Sequence, residues 1–235
     1  FYMSKKINVY TEVIKMDVAE MRFCWLLKQR GYKFWSENEL EQKIILKGKR
    51  PDFYVETPYG NLLVEIKSLK CPGPLEKRLS NIGSINPKEF LDRLKKSVKE
   101  AASQLSPYRD LKIPCLVVLD NYRQIRIPMT HMELIQLFGT IEWRGEINTD
   151  KKEIVAIHCF HGGDRRLTDT QHTYVSAVAV NIPKDRSLDD DMKNERLMRL
   201  RIVHNPFAIC PLPFEIFQDN DDEQYYYQNN KWNKI

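Results

Sequence analysis

No apolar run in this 235-residue chain approaches the ~18 residues that a membrane-spanning helix requires, and the N-terminal stretch lacks the apolar core of a secretory signal. Together these absences lead to the expectation of a soluble, cytoplasmic protein with no membrane partner. Met3 is the expected natural start, with Phe1 and Tyr2 as additions ahead of it. There is no CxxC pair. The five cysteines (Cys24, Cys71, Cys115, Cys159, Cys210) are odd in number and scattered, which argues against a disulfide framework and for a reducing compartment. No glycine-rich phosphate loop occurs, so the chain carries no ATPase machinery of that kind. His158-Cys159-Phe160-His161 lacks the spacing of a closed four-ligand zinc site. No internal repeat is visible. With 42% hydrophobic and 11% aromatic residues, the composition excludes wholesale disorder.

Charge is present in quantity and unevenly distributed. Residues 1–110 hold 21 Lys and Arg against 14 Asp and Glu, whereas residues 111–235 hold 16 against 18. The excess peaks between Lys67 and Lys99, where nine basic residues face three acidic ones. A basic helix of this kind attracts phosphates whatever the base sequence, although a solvated helix face has the same composition. Lys95, Lys96 and Lys99 are expected on that face. Asp189-Asp190-Asp191 and the run from Asp219 to Glu223 would repel a polyanion and are expected to lie away from its path.

Hydrophobic periodicity organises the first half. Met16 to Arg30 reads as a helix, with Asp17 as a cap and Gly31 as a terminator. Tyr32 to Trp35 and Lys43 to Leu46 are strand candidates. Asp52 to Thr57 and Leu62 to Ser68 form a predicted hairpin around Pro58-Tyr59-Gly60-Asn61. The polar stretch from Cys71 to Asn86 reads as a loop. Pro87 to Leu105 has the clearest helical stripe, and Cys115 to Leu119 reads as a strand buried on both faces. Beyond it, Met132 to Phe138 is a predicted short helix, Ile154 to His158 and Tyr174 to Val180 are predicted strands, and Leu197 to Val203 reads as an edge strand or short helix. The expectation is a single α/β domain over 3–218, with a core at 16–119, an extension at 120–218, and a flexible acidic tail at 219–235.

The chemistry concentrates in Arg50-Pro51-Asp52 and, after twelve intervening residues, Glu65-Ile66-Lys67. Glu65 and Lys67 are two apart on one strand and so share a face. If Thr57 pairs with Asn61, Asp52 lies opposite Ile66 and diagonal to both; a bulge or a change of register sets it beside Glu65. Two adjacent carboxylates repel unless a cation lies between them, and Mg²⁺ or Mn²⁺ accepts such an open oxygen cage. Glu65 interrupts Leu-Leu-Val-Glu-Ile-Lys, a run that otherwise reads as buried, and charges are seldom kept there without a partner.

These residues resemble the motif of the PD-(D/E)xK phosphodiesterases, the superfamily of many restriction endonucleases, junction resolvases and DNA-repair nucleases. The resemblance covers residues 16–119. It implies an α/β, restriction-endonuclease-like fold, a mixed central sheet flanked by helices, here with additional C-terminal strands. It further implies a Mg²⁺- or Mn²⁺-dependent nuclease in which Asp52 and Glu65 bind metal and Lys67 assists catalysis. Glu20, on the first helix and beside its apolar stripe, is the implied third acid. Gln104 and Tyr108 match a glutamine and tyrosine near the site in one branch. Lys70, Lys96, Lys99 and Arg50 complete the expected substrate-binding set. DNA is favoured over RNA as the partner, with a homodimer or a protein partner left open. The competing accounts are a silent binding or structural module of the same fold and an RNA-directed nuclease.

Overall fold

The strict alternation of apolar side chains from Phe53 to Ile66 sends two sets to opposite faces of one sheet, and each face is covered by its own helix. The computed structural model describes residues 16–45, 48–69, 87–120, 129–139, 141–148, 153–161, 166–184, 195–229 and 231–235. Along the chain these form α1 (Val18–Gln29), β1 (Lys33–Ser36), β2 (Phe53–Thr57), β3 (Gly60–Ser68), α2 (Pro87–Leu105), β4 (Cys115–Asp120), α3 (His131–Ile135), β5 (Ile141–Asn148), β6 (Glu153–His161), β7 (Val175–Pro183), β8 (Met198–His204), β9 (Glu223–Gln228) and β10 (Lys231–Lys234). Eight strands make one sheet in the order β1-β2-β3-β4-β7-β8-β9-β10, while among the described residues β5 and β6 form a separate two-stranded sheet. The sheet is mixed: β3, β4 and β7 run parallel, and β1, β2 and β8 are antiparallel to their neighbours on the β3 or β7 side.

On one face Phe53, Val55, Leu62, Val64, Leu116 and Val118 pack with Ala19, Phe23, Leu26 and Leu27 of α1. On the other, Tyr54, Leu63, Val117 and Leu119 pack with Leu94, Val98, Ala101, Ala102 and Leu105 of α2. Each fully buried Leu or Phe contributes about 1.5–3 kcal/mol by leaving water, so these two layers dominate the favourable side of folding. All six residues of β4 are buried, because helices cover both faces of the strand.

The β2–β3 turn is one residue tighter than the sequence spacing suggests. Thr57 pairs with Gly60 rather than Asn61, leaving Pro58 and Tyr59 as the two turn residues. Gly60 has φ +131°, a region that favours glycine. The Thr57 hydroxyl reinforces the turn by donating to the Gly60 carbonyl at 2.7 Å and accepting from Tyr59 N at 3.2 Å. The register shifts by one as a result, and Phe53 pairs with Val64.

Four expectations need correction. Lys43 to Ile45 form no strand: a 3-10 turn occupies Leu40–Gln42, and Lys43 folds back over the Trp35 ring to reach Glu56 at 2.7 Å, while Leu46 lies outside the described residues. The strand β8 is not an edge, since it lies between β7 and β9. The strands from 141 to 161 do not extend the main sheet; β5, whose alternation Ile-Glu-Trp-Arg-Gly-Glu-Ile-Asn is a strand signal that the sequence reading passed over, pairs with β6. The tail expected to be flexible forms β9 and β10 instead. The acidic run anchors it: Asp222 accepts from Arg30 Nη2 at 2.8 Å and from Leu200 N at 2.7 Å, and Asp219 also pairs with Arg30.

Deleting residues 219–235 should therefore abolish cooperative folding or lower the melting temperature strongly, whereas loss of a loose tail would leave it unchanged. Asp222→Ala alone, which strips a partner from the largely buried Arg30, should cost about 2–4 kcal/mol in urea titration.

Candidate functional site

The tightened register has a chemical consequence. Continued by one pair beyond Phe53–Val64, it sets Asp52 opposite Glu65, the arrangement in which the two carboxylates share a face. Asp52 precedes β2, where the chain is still free to turn its side chain along the sheet, and its Oδ2 accepts a 2.6 Å hydrogen bond from Ile66 N. That bond ties the acid to the backbone between Glu65 and Lys67. Glu65 is fully buried, pointing to the α2 side, as Leu63 does two residues earlier. Its Oε1 accepts from Lys67 Nζ at 2.5 Å. The same ammonium donates to Gln104 Oε1 at 2.7 Å, so α2 and β3 together hold the lysine in place. Gln104 stands one residue from the C-terminal end of α2, where the helix lies against β3.

Glu65 Oε2 is buried with no hydrogen-bond partner. An orphaned carboxylate oxygen costs free energy unless it is protonated or finds a cation. Electrostatics expresses the same constraint. Burial, reinforced by the neighbouring Asp52 charge, pushes the Glu65 carboxyl up to about 8, against the opposing pull of Lys67. Burial likewise raises Asp52 to about 6, with the Ile66 N–H and Lys67 working in the other direction. Glu20 rises to about 7, first through burial and then through the Asp52 charge. Glu37 and Asp17 add negative potential at both Asp52 and Glu20. Sequence reasoning missed Glu37; it sits in the loop after β1, remote in sequence from either motif.

The other expected residues divide clearly. Glu20 lies in the electrostatic range of Asp52, yet its Oε2 accepts from Asp17 N at 3.3 Å and closes a capping box on α1. Among the described residues no three His, Cys, Asp or Glu side chains are grouped to hold a metal ion, so Glu20 is not brought into a ligand set with Asp52 and Glu65. Asp52 and Glu65 remain as the carboxylates that could hold a hard divalent ion, a class of ion that uses one or two carboxylates and fills its other positions with water. Gln104 is at the site. Tyr108 is not available to a substrate: it is fully buried, and its hydroxyl donates to the Lys49 carbonyl at 3.0 Å. Arg50 turns toward the loop after β1, pairing with Glu41 at 2.8 Å. Lys96 is exposed and lines a groove of about 310 Å³ where Ser68 and Leu69 meet α2. Lys99 is exposed on α2, but Lys95 is buried and does not belong to a basic outer face. Lys70 lies outside the described residues, as do the side chains of His158, Cys159 and His161.

A second polar cluster lies toward the C-terminal ends of the neighbouring strands β4 and β7, on the α1 side. Arg22 Nε approaches Asp120 Oδ2 at 3.3 Å, and Asn181 Nδ2 donates to the same oxygen at 3.3 Å. All three residues are buried. The readable signal was an aspartate closing the apolar run Cys-Leu-Val-Val-Leu-Asp and an arginine inside the apolar stripe of α1.

Comparison with known proteins brings no match: no family model fits the chain, and no significantly similar curated protein or solved structure is found.

Each raised carboxyl binds its proton more tightly in the folded than in the unfolded chain. The folded state therefore holds more protons between the ordinary carboxylate range and about pH 8, and metal-free stability should fall as pH rises through that window. Urea midpoints measured in EDTA from pH 5 to pH 9 should show the decline, and Glu65→Gln should shrink it. A flat wild-type profile would mean that these acids are solvated.

Proposed function

We propose that this protein is a divalent-metal-dependent nuclease that hydrolyses phosphodiester bonds, with DNA favoured over RNA. The observation that carries the reading is the buried Glu65, which has one oxygen on Lys67, the other orphaned, and Asp52 beside it on the same face. The order α1-β1-β2-β3-α2-β4 also accords with the resemblance to PD-(D/E)xK enzymes and supports it.

Asp52 and Glu65 are the residues that would hold Mg²⁺ or Mn²⁺. Such an ion, when bound, offsets the charge developing on a phosphodiester and makes a water more acidic. The protein's own contribution begins with Asp52, whose bond to Ile66 N leaves its second oxygen for a ligand. Lys67 places a compact positive charge at the mouth of the site, about one-fifth exposed. There it can orient a water or stabilise the phosphate in the transition state. Gln104 positions Lys67 by accepting its second hydrogen bond, which prevents the ammonium from swinging into solvent. The rival account, a silent binding module, is favoured by the lack of a third grouped ligand among the described residues.

Single-turnover cleavage of labelled single-stranded, duplex, flapped and four-way DNA, and of RNA, separates these accounts. Asp52→Ala and Glu65→Ala should each abolish cleavage by removing a metal ligand. Lys67→Ala should retain Mn²⁺ binding by calorimetry and still lose orders of magnitude in rate, with Lys67→Arg a poor rescue because a planar guanidinium cannot replace a compact ammonium. Gln104→Ala should slow cleavage less than Lys67→Ala, since it acts through the lysine. Ca²⁺ should support binding with little turnover. Absence of cleavage by the Mn²⁺-loaded wild type on every substrate, or wild-type rates in Asp52→Ala, would overturn the nuclease reading.

A further inference from the structure

Beyond the carboxylate site, the side of α2 facing the β7 approach carries a cleft of about 280 Å³ lined by Lys99, Arg166, Gln171 and His172. Three of its four lining residues carry or can acquire positive charge, and none is a carboxylate. The cleft is assembled from separate parts of the chain: Lys99 comes from α2, Arg166 follows β6, and Gln171 and His172 lead into β7. Its floor is built rather than incidental. His172 adopts the left-handed conformation at φ +57°, one that few residues other than glycine take up. Its Nδ1 lies 2.8 Å from the Tyr174 hydroxyl, and that hydroxyl donates to the Ala102 carbonyl at 2.9 Å. The tyrosine proton being committed to Ala102, His172 Nδ1 carries the hydrogen of the first bond, and Nε2 is the ring nitrogen left to the cleft. Thr168 Oγ1 accepts from Thr170 N and Gln171 N and so pins the intervening loop. Burial and the nearby Lys99 and Arg166 charges all depress the His172 pKa, the response of an imidazole crowded by cations.

The position of the cleft is as telling as its charge. Lys99 and Gln104 are five residues apart on one helix, about 7.5 Å of axial rise and roughly 140° of rotation, so they project from different faces of α2. The helix that positions Lys67 thus also supplies one wall of the cleft. We propose that this cleft is an anchoring subsite for a backbone phosphate of the substrate strand, a few nucleotides from the scissile bond. The proposal rests on the nuclease reading for the identity of its ligand, but requires no cleavage. Lys99 and Arg166 supply charge and the Gln171 side-chain amide N–H a hydrogen bond to the phosphate oxygens, while His172 Nε2 donates to them only in the protonated ring, a form that a bound phosphate favours. Phosphate contacts of this kind set register along the strand and carry no base specificity.

The test uses the entire 235-residue chain in EDTA, with fluorescein-labelled single-stranded and duplex DNA followed by anisotropy across a salt series. For the wild type, log K should fall linearly with log salt. Lys99→Ala should lower the slope by about one phosphate contact, equally for unrelated sequences, and Lys99→Glu should lower affinity further. Lys33→Ala, an exposed lysine on β1 at the far edge of the sheet, should leave the slope unchanged. In parallel, the imidazole signals of the five histidines are followed by NMR, with His172 assigned through His172→Gln. The His172 ring signals should move on addition of the oligonucleotide. DNA binding with an unaltered slope in both Lys99 variants and a motionless His172 signal would overturn the subsite and leave the nuclease reading standing. Binding that behaves as expected in a protein that never cleaves would uphold the subsite and overturn the nuclease reading instead. Absence of binding to any DNA would overturn the subsite as proposed.

Discussion

A fully buried carboxylate in the middle of a sheet is the constraint around which the rest is arranged. Glu65 occupies a strand position that Leu63 and the neighbouring Val117 show to be apolar territory, and an isolated charge there would be expelled or neutralised. Two devices manage it. Lys67 lies on the same face and reaches back to one oxygen, and Gln104 holds the lysine in that pose from α2. The second oxygen is buried without a hydrogen-bond partner, and the Asp52 charge adds a repulsion that outweighs the opposing pull of the Asp52 backbone N–H. A structure selected for stability alone has little use for such a group; an apolar residue of similar volume would pack better. The local cost is what draws attention to a cation and, through it, to chemistry on phosphate.

The scaffold makes that cost tolerable. Glu65 is held between two hydrophobic layers that bury α1 against one face and α2 against the other, so a one-residue slip of its strand would carry Glu65 and Lys67 from the α2 side into the apolar α1 layer, away from Gln104. The C-terminal strands serve the same end from a distance. Their attachment through β8 and the Arg30–Asp222 pair extends the sheet past β7 and encloses the parallel strands on both sides. The C-terminal ends of those strands then present polar groups on both faces: the Glu65–Lys67–Gln104 array toward α2, and the Arg22–Asp120–Asn181 cluster toward α1. A crevice outside the carboxyl ends of parallel strands is where open α/β sheets commonly bind ligands.

Periodicity and punctuation by themselves determined much of this. The helix at Met16 to Arg30, the hairpin around Pro58, the long helix from Pro87 and the strand from Cys115 were all legible, because each sequence period matches one geometry and each end carries a capping or breaking residue. That Glu65 and Lys67 share a face follows from strand geometry alone, and the oddity of Glu65 in an apolar run is visible without any coordinates. The helical period also marks Phe23 as core, and the apolar run around Glu65 marks Val64. What it could not decide was any matter of relative placement. The choice between Gly60 and Asn61 as the partner of Thr57 depends on turn geometry finer than residue propensity, and it moves Asp52 from diagonal to opposite. Tyr108, matched on spacing to a site residue, is turned into the core by the 3-10 helix that follows α2, and its hydroxyl meets Lys49 from a distant loop. Lys95 is buried where a charge count saw only a basic helix, because composition carries no azimuth. The tail read as loose for its acidic run, yet Arg30, far away in sequence, converts that run into an anchor. Local sequence sets which elements form and which faces are apolar; long-range partners decide where a charge ends up, since a charge is stable only where its counterpart has been brought.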